Sequence, residues 1–235
     1  MAPEMPHTKN TTNKGNNMNP EFWQERWQNK RIGFNQPEVN PLLIKYFSTL
    51  DLQASSRVFV PLCGKSIDML WLIDQGYDVV GIELVESAVQ EFFIEQGISY
   101  TIKAHSENSN IKCYQGQLLS QTIELWVADI FTLGADNIGH VDAVYDRAAL
   151  IAMPPELRPQ YSQQVIDLSQ NSPQLLLTLN YDQNERAGPP FSITHEQIQQ
   201  YYSAHYQINK LEGKASVLNA APEMAVKEYI WLLSQ

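Results

Sequence analysis

The sequence predicts an α/β fold built on a doubly wound, mainly parallel sheet. From residue 51 onwards, short runs of β-branched and apolar residues alternate with segments of helical periodicity, as in parallel βαβ units. The chain has 235 residues, of which 43% are hydrophobic and 18% are charged, which suits one domain with a sizeable core. Two strand candidates follow each other in the last third of the chain, and they predict a late antiparallel hairpin.

The N-terminal stretch, residues 1–17, is rich in Asn, Thr, Lys and Pro and has no periodic apolar positions. Such a composition cannot bury enough apolar surface to order the chain, so we expect a disordered extension. Residues 18–235 show no internal repeat or low-complexity block. We therefore expect them to form one domain.

Two helices are predicted ahead of the sheet, within residues 20–50. In the first, Trp23 and Trp27 lie one helical turn apart and share an apolar face. The second begins with Asn40 as its N-cap and Pro41 at the first helical position. We expect the pair to form a mobile cover over the sheet.

The remaining elements alternate along the chain. The predicted strands are 57–62, 78–83, 111–116, 122–129, 141–146, 174–180, 206–212 and 226–234. The predicted helices are 67–76, 86–97, 157–170 and 194–205. Because parallel strands with right-handed crossovers place ligands at their carboxyl ends, the loops after residues 62, 83, 129 and 146 should surround one crevice.

Composition excludes several classes of partner and site. There are 26 acidic and 16 basic residues, with a formal net charge of -10, so a nucleic-acid partner is not expected. Cys63 and Cys113 are the only cysteines, too few for a disulfide scaffold and without the paired spacing of a zinc site. The sequence has no secretory apolar region and no run long enough to cross a membrane. We expect a cytoplasmic monomer.

The loop after the first predicted strand, VPLCGKSIDM, is placed like a nucleotide-binding loop. Gly64 lets the backbone pass close to a ligand. A P-loop needs a glycine five residues earlier, where Phe59 stands. The dinucleotide fingerprint also fails because Gly64 is the only glycine in the loop. The first absence rejects a P-loop, and the second argues against a nicotinamide-dependent oxidoreductase.

Three charged residues follow predicted strands. Glu83 stands where doubly wound nucleotide folds place an acid that accepts the ribose hydroxyls, or else it is an ordinary carboxylate at a helix N-terminus. Arg147 suits a carboxylate or an anionic acceptor, or else forms a salt bridge with Asp146 or Glu83. Asp129 either approaches an adenine amino group or caps its loop. The sequence leaves all three pairs of alternatives open.

Six segments, in order over residues 18–235, resemble the thiopurine S-methyltransferase family of bacterial type. They are FWQERW, GFNQPEVNPLL, VPLCGKSIDM, VVGIE, DRAALIAMPPELRPQY and GPPFSITHEQI. The resemblance implies a Rossmann-like class I methyltransferase fold with a seven-stranded sheet, and S-adenosylmethionine as cofactor. It implies cofactor contacts at Trp27, Leu62, Glu83 and Arg147 and an acceptor contact at Phe34.

The activity implied by the resemblance is methyl transfer to small aromatic or heterocyclic thiols such as thiopurines, and also to selenium or tellurium species. A thiol that ionises easily needs no dedicated base, so we assign no catalytic acid or base and no metal. His195 is expected near the start of a helix. The alternatives are the oxidoreductase and a non-catalytic cofactor-binding module of the same fold.

Overall fold

The computed structural model describes residues 20–105, 108–219 and 221–235. The predicted disordered extension, residues 1–17, lies outside the described residues. The described strands are β1 (Arg57–Pro61), β2 (Asp78–Glu83), β3 (Tyr100–Ala104), β4 (Lys112–Leu118), β5 (Gln121–Val127), β6 (Ala143–Asp146), β7 (Gln174–Asn180), β8 (Gln207–Leu218) and β9 (Ala221–Ser234). The described α-helices are α1 (Pro20–Gln28), α2 (Pro41–Tyr46), α3 (Asp68–Asp74), α4 (Glu86–Glu95), α5 (Ala135–Ile138), α6 (Arg158–Ser169) and α7 (His195–Tyr202).

All nine strands join one sheet in the order β3-β4-β5-β2-β1-β6-β7-β9-β8. The five strands from β5 to β7 run parallel, and β9 and β8 add antiparallel at one edge. The mainly parallel sheet and the late hairpin are therefore confirmed. The predicted count of seven strands is wrong, because the other edge is extended by β4, which pairs antiparallel with β5, and by β3, which pairs antiparallel with β4.

The extra edge has a local cause in the turn between β4 and β5. Leu119 and Ser120 both have positive φ, 53° and 77°, and two such residues between paired strands form a hairpin turn that matches the twist of the sheet. The turn folds β4 back onto β5. Strand β3 then adds to β4 with all five of its residues exposed, so the period-2 pattern of a half-buried strand is missing there.

Side chains cap the starts of two helices, and the cap at Asn40 was predicted. The Asn40 side chain accepts a hydrogen bond from Leu42 N at 2.8 Å, which caps α2. Thr194 and Gln197 form a reciprocal capping box at the start of α7. After Arg147 the chain forms only a 3-10 turn, Leu150–Ala152, and two prolines follow at 154 and 155, which cannot continue a helix.

The sheet separates two apolar cores. Phe59 of β1 packs into the core beneath α6, whereas its neighbours Val58 and Val60 pack into the core beneath α3 and α4, as alternation along a strand requires. A third, smaller cluster joins Trp27 to Val85 and Ala88. It fastens α1 to the start of α4, next to the carboxyl end of β2. In the described part of the chain, no helix has both the length and the apolar character of a membrane span.

Candidate active site

The turn after β1 brings backbone close to the covering helix α1. Leu62 and Gly64 both have positive φ, 46° and 53°, which is uncommon for a residue with a side chain. A Cβ added to Gly64 would lie 3.1 Å from Cζ2 of Trp27. The loop is therefore shaped by a glycine that the ring of Trp27 covers, and the backbone strain at Leu62 is located at this candidate site.

Glu83 ends β2, whose neighbour is β1, so its carboxylate meets the turn after β1. One oxygen, Oε2, accepts a hydrogen bond from Gly64 N at 2.9 Å, and the other, Oε1, accepts one from Val85 N at 2.8 Å. The residue is only 7% exposed. Burial raises the pKa of Glu83 to about 7, against the opposing effect of these backbone N–H groups.

Each Glu83 oxygen has more than one lone pair, so the carboxylate has capacity for ligand hydroxyls after these two bonds. Its role in joining the β1 turn to the start of α4 fits the helix-terminus alternative. The two alternatives for Glu83 are thus compatible, because one carboxylate can hold the loops and accept from a ligand.

Arg147 follows β6 and forms an ion pair with an acid other than the two that the sequence suggested. Its Nη1 lies 3.3 Å from Oδ2 of Asp68, and its Nη2 donates to the carbonyl oxygen of Phe34 at 3.3 Å. The suggested salt bridges to Asp146 or Glu83 are wrong. Asp146 instead points into the core, where it accepts a hydrogen bond from the Tyr161 hydroxyl at 2.8 Å.

Asp68 is a residue whose importance the sequence did not show. It is fully buried, and besides Arg147 its carboxylate accepts hydrogen bonds from Tyr145 Oη at 3.0 Å and from Asn40 N at 2.8 Å. It therefore joins α3, β6 and the start of α2. The long-range partners fix this role, and in sequence Asp68 resembles any acid in the first turn of a helix.

Three aromatic side chains of the N-terminal cover pack edge to face. The ring centroids of Trp23 and Phe34 are 5.8 Å apart, and those of Trp27 and Phe34 are 5.7 Å apart. Such contacts orient the rings relative to one another. Trp27 is 2% exposed, so the cover lies closed against the sheet.

All five residues singled out above border one cavity of about 690 Å³: Trp27, Leu62, Glu83, Arg147 and Phe34. A cavity of this size suits a ligand of cofactor dimensions. A second cavity of about 440 Å³ lies around residues 170–173 and shares no described lining residue with the first. The loops after β1, β2, β6 and β7 and the N-terminal cover thus form one site.

Other polar candidates have structural roles. Asp129 is exposed and caps a 3-10 turn by accepting from Phe131 N at 3.1 Å, and it is not among the described residues lining the large cavity. His195 stacks on Trp231 at the start of α7. Cys63 is buried, and that burial raises the pKa of its thiol well above the ordinary value, which makes it unreactive. Within the ranges described, no group of three His, Cys, Asp or Glu side chains is arranged for a metal.

Comparison with known proteins gives consistent results. The family model for thiopurine S-methyltransferase matches residues 18–233. A thiopurine S-methyltransferase of Psychrobacter cryohalolentis is 78% identical over 93% of this chain and 100% of its own. One of Teredinibacter turnerae is 41% identical over 93% and 98%.

Solved structures share the fold at low sequence identity. The Burkholderia thailandensis 1,6-didemethyltoxoflavin-N1-methyltransferase, with bound S-adenosylhomocysteine, has a TM-score of 0.58 at 11% identity, covering 92% of this chain and 87% of its own. A SAM-dependent methyltransferase from Anabaena variabilis has a TM-score of 0.58 at 14% identity, covering 92% and 94%.

The nine-stranded sheet and the solved structures define a Rossmann-like fold, and the family match over residues 18–233 makes the chain an S-adenosylmethionine-dependent methyltransferase. The oxidoreductase alternative is not supported by these comparisons. The chain belongs to the thiopurine S-methyltransferase family.

Trp27 belongs to the N-terminal cover and borders the cavity beside Gly64. We expect Trp27→Ala to weaken binding of S-adenosylhomocysteine about tenfold, because the ring closes the cavity against Gly64 and its apolar contact is lost. Calorimetry measures the affinity. Hydrogen exchange of residues 20–35 should slow on adding the ligand to the wild type, and slow less in the variant.

The matched control for this variant is Trp23→Ala, which removes a partner of Phe34 and leaves the contact with Gly64 intact. It should weaken binding by less than about threefold, since less than roughly 0.7 kcal/mol is involved. Equal losses in the two variants, or exchange in 20–35 that ignores the ligand, would contradict the cover.

Proposed function

We propose that the chain transfers the methyl group of S-adenosylmethionine to the sulfur of aromatic or heterocyclic thiols, thiopurines among them. The observation that carries the proposal is the single cavity in which Glu83, Arg147 and Phe34 meet. The curated relatives are named for the same activity. We further propose that residues 18–235 act as one domain, as a monomer in the cytoplasm.

The residues of the cavity suit the cofactor in type and placement. Glu83 would accept the two ribose hydroxyls at the carboxyl end of β2. Leu62 and Trp27 enclose the turn after β1, where the glycine leaves room for a close backbone approach. Arg147 offers guanidinium N–H groups for a carboxylate of the cofactor, while its ion pair with Asp68 holds it in place.

S-adenosylmethionine supplies an already activated methyl group when it is bound. The protein then has to align the acceptor sulfur with that methyl group and exclude water, and such positioning contributes about 7 to 11 kcal/mol in favourable cases. The rings of Phe34 and Trp23 offer an aromatic wall for a planar acceptor. The positive charge of Arg147 favours the thiolate form of that acceptor.

The test is a turnover assay with S-adenosylmethionine and 6-mercaptopurine, in which mass spectrometry detects the S-methylated product and S-adenosylhomocysteine in equal amounts. We expect both products to accumulate with enzyme-dependent kinetics. Thermal-shift measurements with S-adenosylhomocysteine and with NADH run alongside, because a ligand that binds the folded state raises its stability. Stabilisation by S-adenosylhomocysteine without methylation of any thiol would instead establish the non-catalytic module.

A further inference from the structure

Three arginines border the same cavity, and none of them has a neutralising partner within the described ranges. Arg26 belongs to α1, Arg31 to the loop after α1, and Arg186 to the loop after β7. Among the residues that the structure describes, none of the three forms an ion pair. By contrast, the neighbouring cations Lys30 and Lys65 both pair with Glu91, at 2.5 and 2.8 Å.

The guanidinium groups are also poorly satisfied by hydrogen bonds. The Nε atoms of Arg26 and Arg186 are both buried and have no partner in the described structure. Among the described residues, Arg186 donates one long bond from its guanidinium, Nη2 to the carbonyl oxygen of Pro189 at 3.5 Å. Arg26 lies over the ring of Phe22, 4.6 Å from its centroid. Buried donors of this kind are normally paired, so their unused capacity indicates a ligand.

The three charges act on one another. Burial lowers the pKa of Arg26, and the charges of Arg186 and Arg31 lower it further, with only Glu25 acting in the opposite direction. Holding like charges together is unfavourable, and it occurs here in a chain with a net charge of -10. An anion bound among them would relieve this repulsion.

The acids that border the cavity do not neutralise the cluster. Glu83 is bonded to backbone N–H groups, and Glu228 lies 3.5 Å from Lys214. Glu38 is exposed and borders the cavity without an ion pair to any described residue. The rim around Arg26, Arg31 and Arg186 therefore remains positively charged.

The position of the cluster in the fold separates it from the proposed ribose contact. Arg186 follows β7 and Glu83 follows β2, and two strands, β1 and β6, lie between β2 and β7 in the sheet. Arg147 follows β6, between the two. Since Glu83 is the proposed cofactor end of the cavity, Arg186 lies toward the space left for the acceptor. Arg26 is close enough to Arg186 and Arg31 for their charges to interact, which links the N-terminal cover to the same region.

We propose that Arg26, Arg31 and Arg186 bind an anionic substituent of the acceptor, so that the enzyme favours aromatic thiols carrying a carboxylate or phosphate group. Guanidinium groups suit both because their N–H donors match the oxygens of either anion. The inference rests on the proposed function and names a subclass of its acceptors.

Paired acceptors that differ in charge test the subsite. The first pair is 4-mercaptobenzoate and its neutral carboxamide, and the second is 6-mercaptopurine riboside and its 5′-monophosphate. For the wild type we expect kcat/KM to be at least about tenfold higher for the charged member of one pair or both, equivalent to about 1.4 kcal/mol. Preference in the first pair assigns a carboxylate, and preference in the second a phosphate.

Two arginine variants test whether the cluster causes the preference for charged acceptors. Arg186→Gln and the exposed Arg31→Gln should each lower the charged-to-neutral ratio of kcat/KM at least threefold, and together they should bring it near one. Lys103→Gln, which changes net charge equally on the remote strand β3, should keep the wild-type ratio. Thermal midpoints check folding, and the exposed Arg31 variant remains informative if the Arg186 variant is unstable.

Three outcomes overturn the subsite. Equal wild-type turnover of both members of each pair rejects it while leaving the proposed function intact. A loss in the arginine variants that is equal for charged and neutral acceptors, with weaker S-adenosylhomocysteine binding, assigns the cluster to the cofactor instead. Absence of methylation of all four thiols rejects the proposed function and the subsite with it.

Discussion

Asp68→Asn is expected to lower the free energy of unfolding by about 3 kcal/mol, the lower end for breaking a buried charge pair. One Asp68 oxygen accepts from Asn40 N, and the other faces Tyr145 Oη and Arg147. An asparagine must turn its NH₂ group toward one of these donors, so at least one buried donor loses its acceptor. In a chain of this size the thermal midpoint should fall by roughly 6 to 12 °C.

The same substitution should reduce turnover at temperatures where the variant remains folded. Asp68 holds Arg147, and without that pair the guanidinium is free to leave its position beside the cavity. We therefore expect kcat/KM to fall at least about tenfold, as small misplacements of a positioning group do. Calorimetry and steady-state kinetics measure the two effects.

Asp74→Asn is the matched control because Asp74 is exposed at the other end of α3. This substitution should leave the free energy of unfolding and kcat/KM close to their wild-type values, as surface substitutions usually do. An Asp68 variant that melts with the wild type would show that the network contributes little. A destabilised variant with unchanged kinetics would show that Arg147 does not need Asp68.

The parallel core was predictable from sequence because its signals are local. Strands β1 and β2 are short apolar runs that start and end near their predicted limits. Glu83 follows from the position of β2, since carboxyl ends of parallel strands meet at one edge, whereas Leu62 as a cofactor contact was implied by the family resemblance. Phe34 and Trp27 depended on the family resemblance, because their place over the sheet is set by tertiary contacts.

The features that the sequence did not predict depend on contacts between residues far apart in the chain. Asp68 receives Tyr145 and Arg147 from β6 and the residue after it, more than seventy positions away. The arginine cluster joins α1 to the loop after β7, and spacing in the chain does not indicate that Arg26 and Arg186 meet. Asp146 was one of the two salt-bridge partners suggested for Arg147, but its carboxylate is buried and accepts a hydrogen bond from Tyr161 instead.

Binding of S-adenosylhomocysteine is expected to strengthen about tenfold between pH 6 and pH 8, because the ionised fraction of a group with a pKa of about 7 rises about tenfold over that interval. The sign follows from the hydroxyl donors of the ribose, which bind the ionised carboxylate of Glu83 more strongly. Binding should therefore lower the pKa of Glu83 and release a proton. Calorimetry in two buffers with different ionisation enthalpies counts that proton.

The unliganded protein should respond to pH in the opposite sense. Because burial raises the pKa of Glu83 from 4.5 to about 7 and that of Asp146 from 3.8 to about 6, the folded state holds protons that the unfolded state has lost. The contribution of Glu83 to the free energy of unfolding then falls as pH rises from 4.5 to about 7, and that of Asp146 falls as pH rises from 3.8 to about 6. Asp146 is not among the described residues lining the cavity, so it should affect stability without affecting ligand affinity.

Glu83→Gln tests whether Glu83 causes the pH dependence of S-adenosylhomocysteine binding, as distinct from the pH dependence of stability. The amide cannot ionise, and its NH₂ group must face Gly64 N or Val85 N, where an acceptor is required. Affinity at pH 8 should fall more than about tenfold, since a hydrogen bond to a charged group contributes about 1.5 to 3 kcal/mol, and the remaining affinity should not change with pH. Glu86→Gln, at the first residue of α4 and paired with Lys112, should keep both the affinity and its pH dependence. Wild-type affinity in the Glu83 variant, or a tenfold pH effect that survives in it, would place the ribose contact on another residue.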